Sequence, residues 1–304
     1  MNMTNILLKA VDLPNGETIA YRERSGGEEI ILLIHGNMTS SKHWDLFLEK
    51  LDPKYKVYAI DLRGFGRSSY YNRIYSINEF AEDVELFVNE LKLQDFIMVG
   101  WSTGGAVGME YVASYPNDCK KLVLLASAST RGYPFYGTTK EGLPDVQNRL
   151  KTYEEIKNDQ GKTVQVQAAY DMKNREFLKT LWNMLIYTHN QPDEQRYEQY
   201  IDDMMTQRNL AEVYYALNTF NISHHSNEVC AGTNKVKNIN IPVLVLRGEQ
   251  DLVVTAQMTE EIVADLGAIA RYVELKGCGH SPLVDDIEQT LSVIYEFLEN
   301  NGGH

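Results

Sequence analysis

The chain has 304 residues, 43% of them hydrophobic, and a formal net charge of −13. That length holds one α/β domain with an insertion and a sizeable core, so no long disordered region is expected. The acidic balance, unrelieved by any Lys/Arg run, argues against nucleic acid as a partner, and a neutral small-molecule substrate fits it. Three cysteines, Cys119, Cys230 and Cys278, are an odd set without a C-x-x-C spacing. They argue against a disulfide framework or a zinc knuckle and for free thiols in a reducing compartment.

The opening MNMTNILLKAVDL lacks the basic and apolar regions of a secretory leader. No stretch approaches the roughly 20 apolar residues that span a bilayer, so the expectation is a cytoplasmic, soluble protein without a membrane span. Residues 6–11 and 18–22 flank Pro14-Asn15-Gly16 and predict a hairpin. Continuous apolar runs at 30–34, 57–60, 96–99 and 122–125 predict buried parallel strands. Between them, Phe80, Ala81, Val84, Phe87, Val88 and Leu91 repeat at helical spacing and predict a helix over 77–91. A further helix is expected over 106–114.

The alternation breaks after about Ser127. Residues 129–238 look helical, with Gly- and Asn-rich loops and many Tyr and Met, among them Tyr133, Tyr170, Tyr187, Tyr214 and Met204. Strand patterns return at 243–246 and 271–275, and a closing helix is expected over 286–298. The fold class is therefore α/β, a mostly parallel sheet flanked by helices. Residues 1–128 and 239–304 form the core, and 129–238 form a helical lid inserted between two strands. Gly302-Gly303-His304 reads as a frayed tail.

Four loops, each just past a strand, carry the chemistry. Gly100-Trp101-Ser102-Thr103-Gly104 lies between a strand and a helix, the context of a nucleophile elbow. Alone the pattern is weak; its partners make it specific. His35-Gly36-Asn37 can aim the backbone amide of Asn37 at the reacting centre, with the amide of Thr103 as the other half of an oxyanion hole. His35 itself reads as a residue that pins the loop. Gly248-Glu249-Gln250-Asp251 offers a carboxylate, with Asp251 preferred and Glu249 the rival. Gly277-Cys278-Gly279-His280 offers the base. The order Ser102, Asp251, His280 is the order stated for triads of this architecture. Cys278 reads as a small residue filling a tight loop. His189, His224 and His225 lack the company that a metal site needs, and acyl transfer by Ser102 requires no metal and no organic cofactor.

These loops, together with Asp61-Leu62-Arg63-Gly64-Phe65-Gly66-Arg67-Ser68, resemble the α/β-hydrolase superfamily over essentially the whole chain. The stretches 35–44 and 100–105 resemble bacterial intracellular poly(3-hydroxybutyrate) depolymerases, also called polyhydroxyalkanoate depolymerases. That resemblance implies hydrolysis of a short-chain hydroxyacid polyester at a granule surface, with Ser102, Asp251 and His280 as triad. Asn37 also matches a halide-binding asparagine of haloalkane dehalogenases. Those enzymes need an aspartate where this chain has Ser102, which removes the dehalogenase and epoxide-hydrolase readings. Small-ester, lactone, peroxidase-like and C–C-bond hydrolases keep the serine and stay open. So does a binding protein on a hydrolase scaffold, since fold does not fix function. The sequence carries no signal of oligomeric state.

Overall fold

A computed structural model of the protein describes residues 6–116, 118–139 and 143–299. The expected hairpin is present: β1 (Ile6–Asp12) pairs antiparallel with β2 (Thr18–Arg24), and Gly16 turns the chain at a φ of +88°. Then follow β3 (Glu29–Ile34), a short helix α1 (Asp45–Lys50), β4 (Tyr55–Ile60), α2 (Ile77–Leu91), β5 (Phe96–Trp101), α3 (Thr103–Ser114) and β6 (Cys119–Leu125). A long excursion carries β7 (Tyr136–Thr138), β8 (Pro144–Arg149), α4 (Tyr153–Lys157), α5 (Thr163–Asp171), α6 (Arg175–Leu185), α7 (Glu194–Met204) and α8 (Leu210–Thr219). The chain closes with β9 (Val243–Gly248), α9 (Ala256–Leu266), β10 (Ala270–Leu275), α10 (Pro282–Asp285) and α11 (Ile287–Glu299).

Eight strands form one sheet in the order β1-β2-β4-β3-β5-β6-β9-β10. The first two join antiparallel and every pairing from β4 onward is parallel. Parallel strands covered on both faces must be apolar at every position, which is why β3, β5, β6 and β9 read as unbroken runs. Alternation along each strand splits them between two cores. Leu32, Ile34, Met98, Leu124 and Val245 face α2, α3 and α9. Ile31, Leu33, Val99, Leu125 and Leu246 face α1 and α11. Helix α2 matches its expected bounds because both ends carry signals: a Ser76–Glu79 capping box starts it, and Lys92 in the left-handed region stops it.

Three features depart from the sequence reading. The excursion after β6 is not helical throughout; it opens with the β7–β8 pair, where Tyr136 and Thr138 favour extended chain and Pro144 disfavours helix. The closing helix α11 keeps its expected bounds to within a residue, but a short helix α10 that the sequence reading did not give, with Pro282 in its first turn, stands ahead of it. Helix α3 begins at Thr103, three residues before the expected start. The tail at 302–304 lies outside the described residues. Among the described residues, no helix is long and apolar enough to cross a membrane.

Candidate active site

Parallel strands place all their carboxyl ends on one edge of the sheet, and the loops leaving that edge converge. The four loops singled out in the sequence leave β3, β5, β9 and β10 there. Ser102 sits between β5 and α3 at φ 55°, ψ −115°, a conformation that a non-glycine residue adopts only under constraint. The constraint is the close packing of α3 on the sheet. A Cβ on Gly100 would lie 2.3 Å from the carbonyl oxygen of Gly104, and one on Gly104 would lie 2.2 Å from that of Ile34. These two glycines let α3 begin immediately after the serine. The N–H of Ser102 donates to Leu125 O at 2.9 Å and fixes the turn to the end of β6.

His280 and Asp251 complete a hydrogen-bonded chain. Nε2 of His280 lies 3.1 Å from Ser102 Oγ, and Nδ1 lies 3.1 and 3.0 Å from the two carboxylate oxygens of Asp251. Histidine and aspartate are both buried. Burial alone would raise the Asp251 carboxyl. The charge and hydrogen bond of His280, with N–H donors from Val254 and Val253, outweigh it and hold the group below its ordinary value. The rival carboxylate points elsewhere: Glu249 accepts from Lys276 Nζ at 3.2 Å and from the Gly277 N–H at 3.1 Å. The geometry can pass a proton from Ser102 to His280 while Asp251 remains charged.

Asn37 and Thr103 line the same cavity as Ser102 and His280. Gly36 brings the β3 loop against the serine, since a Cβ there would stand 3.1 Å from Ser102 Cβ. Met38, at φ 59°, turns the chain after Asn37. Thr103 opens α3, so its N–H has no intrahelical acceptor and the positive end of the helix lies behind it. The Asn37 carboxamide oxygen is occupied, accepting from Gln207 Nε2 at 2.8 Å.

Several contributors were not visible in the sequence. The indole N–H of Trp101, next to the serine, donates to the carbonyl of His280 at 2.9 Å and so ties elbow to base. Asp285 accepts from the Gly279 N–H at 2.8 Å, and from the Asn190 N–H at 3.1 Å, joining the histidine loop to the excursion. Nothing local marks these roles. His35 pins its loop as expected: Nδ1 meets Gly36 O at 2.7 Å and Nε2 accepts from the Leu62 N–H at 2.9 Å. Burial pushes it down to about 4, despite the bond to Gly36. Cys278 is buried, and burial pushes its thiol up to about 12, so it is no nucleophile at neutral pH. His189 lies against Gln250. His224 and His225 are exposed, with ring nitrogens within 4.8 Å of an Asp265 oxygen. That carboxylate is already held by Arg131 at 2.9 Å and by Thr130.

Above the serine the cavity encloses about 390 Å³. Its wall is mainly apolar, with Phe135, Val166, Phe177, Leu181, Trp182 and Leu185 from the β6–β9 excursion and Leu252 and Val253 from the loop after β9. An apolar recess with a few convergent polar groups at its floor is the usual form of a small-molecule site.

Comparison with known proteins agrees with this architecture. A family model described as the alpha/beta hydrolase fold matches residues 29–287. A bifunctional esterase/perhydrolase from Acinetobacter calcoaceticus is 28% identical over 302 residues, 95% of this chain and 99% of that protein. A lipase from Psychrobacter immobilis is 24% identical over 296 residues, covering 95% and 83%. The solved structure of an esterase from Exiguobacterium antarcticum matches with a TM-score of 0.73 at 16% identity, covering 97% of this chain and 100% of that one. At that identity the likeness speaks for the fold.

Proposed function

The chain belongs to the alpha/beta hydrolase fold family, and we propose that it is a carboxylic ester hydrolase with Ser102 as nucleophile, His280 as general base and Asp251 orienting the histidine. The observation that carries this reading is the hydrogen-bonded chain from Ser102 Oγ through His280 to Asp251 at the floor of an apolar cavity. Ser102 Oγ attacks the ester carbonyl as His280 Nε2 takes its proton. The amides of Asn37 and Thr103 receive the oxyanion, each such donor being worth roughly 3 kcal/mol in a comparable hydrolase. His280 returns the proton to the leaving alcohol. Water, activated by the same histidine, then releases the acid. The excursion at 129–238 acts as a lid that chooses the substrate. The test is an organophosphonate ester with a short acyl-like chain. One equivalent should attach at Ser102 with loss of short-chain ester turnover, and labelling at any other residue would overturn the assignment.

Within this class, the substrate we put forward is a short-chain hydroxyacid polyester, cleaved in the cytoplasm at a granule surface. It rests on the depolymerase-like stretches at 35–44 and 100–105 and is supported by an apolar cleft able to take a flexible ester chain. Amorphous polymer offers mobile chains and crystalline polymer does not. Release of 3-hydroxybutyrate should therefore be fast from amorphous granules and slow from crystallised polymer. Rapid hydrolysis of soluble esters with no acid from amorphous granules would leave a small-ester or lactone hydrolase.

A further inference from the structure

One cation stands on the cavity wall. Lys162, just before α5, lines the cavity with Tyr133, Phe135 and Tyr214, on a mainly apolar wall that also carries Gln165 and Thr180. Its ammonium lies 4.8 Å from the centroid of the Phe135 ring and makes only a long contact, 3.5 Å, with the carbonyl of Tyr136. No carboxylate among the described residues is within ion-pair distance of it. The carboxylate of Asp159 accepts from the Lys162 main-chain N–H at 2.8 Å and from the Thr138 hydroxyl at 3.4 Å. Burial lowers the lysine below its ordinary value, and the nearby Asp159 charge only partly opposes this. An ammonium held half-buried, over a ring and without a directly paired carboxylate carries a desolvation cost that an anionic ligand would offset.

The neighbouring tyrosines are also uncommitted. Neither the Tyr133 nor the Tyr214 hydroxyl has a hydrogen-bond partner among the described residues. Burial, then the Asp251 charge, pushes the Tyr133 hydroxyl up to about 12, so it remains a donor at neutral pH. The wall thus presents an ammonium and two hydroxyl donors, with no carboxylate paired to the ammonium.

We propose that Lys162, on the same cavity wall as Tyr133 and Tyr214, binds a carboxylate carried by the substrate away from its scissile ester. The preferred substrate is then an ester with an anionic end. Two sources share that chemistry: a half-ester of a dicarboxylic acid, and a hydroxyacid oligomer with a free carboxyl terminus. This deepens the ester-hydrolase reading and rests on it. The competing account, that the lysine stem merely covers Phe135 while the ammonium seeks water, predicts no dependence on substrate charge.

The experiment compares wild type, Lys162→Met, which keeps the apolar stem, and Lys162→Arg, which keeps the charge. The substrates are monomethyl adipate and the linear 3-hydroxybutyrate dimer as free acids, against dimethyl adipate and the dimer methyl ester. In wild type the free acids should have the lower KM. Lys162→Met should raise that KM about 10- to 100-fold, the range of one charge-assisted hydrogen bond, and change the neutral esters less than about 2-fold. Lys162→Arg should recover most of the loss. A dimer-only effect assigns the oligomer end, and an adipate-only effect assigns the dicarboxylate. Equal KM changes for acids and neutral esters, or a wild-type preference for the neutral forms, overturn the proposal. Calorimetric binding of monomethyl adipate to Ser102→Ala, with and without Lys162→Met, separates the two readings. Lys162-dependent binding without turnover in the wild type would remove the hydrolase reading alone. Turnover without Lys162-dependent binding would remove this one alone.

Discussion

The floor of the cavity and its wall are held by different kinds of bond. On the floor, Ser102, Asp251 and His280 sit on loops that leave strand ends, and main-chain bonds lace those loops together. The Ser102 N–H donates to Leu125 O, the Ala126 N–H to Leu246 O, and the Gln250 N–H to Cys278 O. On the wall side, the excursion meets the core largely through side chains, such as Gln207, between α7 and α8, on Asn37, and Arg196, on α7, on Asp45 and Glu49. Main-chain lacing fixes atoms to the fraction of an ångström that proton transfer requires. Side-chain contacts are replaceable one at a time. Changes to the floor should therefore alter the rate for every ester, and changes to the wall should alter which ester is preferred.

The largest effect tests the floor directly. Ser102→Ala should lower turnover by about a millionfold, the scale seen when a comparable triad loses its nucleophile, and should abolish phosphonate labelling. Near-normal turnover in that variant would end the serine mechanism. Next comes the acid. Asp251→Asn should lower kcat about ten-thousandfold with folding intact, as the wrong histidine tautomer does elsewhere. Glu249→Gln should stay within a few-fold of wild type, because Glu249 binds Lys276 and the Gly277 amide rather than His280. A crippled Glu249→Gln with a healthy Asp251→Asn would reverse the assignment.

A third effect concerns the stability of the floor. His35 is neutral between Gly36 O and the Leu62 N–H, and its folded value is about 4 against an ordinary 6.5. Between those values the unfolded chain binds a proton that the native chain refuses, so stability falls as pH falls. From pH 7.5 to 5.0 this one group should remove about 2 kcal/mol. Urea unfolding at both pH values measures it. His35→Gln should flatten that part of the pH dependence, and an unchanged slope would mean that His35 contributes none of it.

How much of this was legible in the sequence follows the same division. Buried parallel strands must be apolar throughout, and tight strand-to-helix turns need glycines at set positions. Residues 30–34, 96–99 and Gly100-Trp101-Ser102-Thr103-Gly104 therefore announce themselves locally. The preference for Asp251 over Glu249 was legible as a position past a strand; the direction of each carboxylate is a property of the folded loop. The wall was not legible. A lysine before a helix looks like any surface lysine until α5 packs against Phe135, 27 residues earlier in the chain. The bond from Trp101 to the carbonyl of His280 spans 179 residues and leaves no local trace. The β7–β8 pair lies in a Gly-rich stretch where weak extended preference competes with expected helix, and tertiary context decides.

The smallest predicted effect sharpens the contrast from the wall side. Leu181, on α6, is partly exposed and lines the cavity without joining the hydrogen-bonded chain to Ser102. Truncating it to alanine adds room for a longer chain and removes apolar contact from a shorter one. One methylene in an apolar pocket is worth about 1–3 kcal/mol of discrimination when packing is tight, and a half-exposed wall residue belongs at the lower end. Leu181→Ala should therefore shift the ratio of kcat/KM between eight-carbon and four-carbon acyl esters about tenfold toward the longer one. Phosphonate labelling of Ser102 should keep its rate when the probe is small enough not to touch α6. If both esters and the small probe slow by the same factor, α6 is part of the machinery that holds the floor in place. The division between a fixed floor and a replaceable wall would then be wrong at this helix.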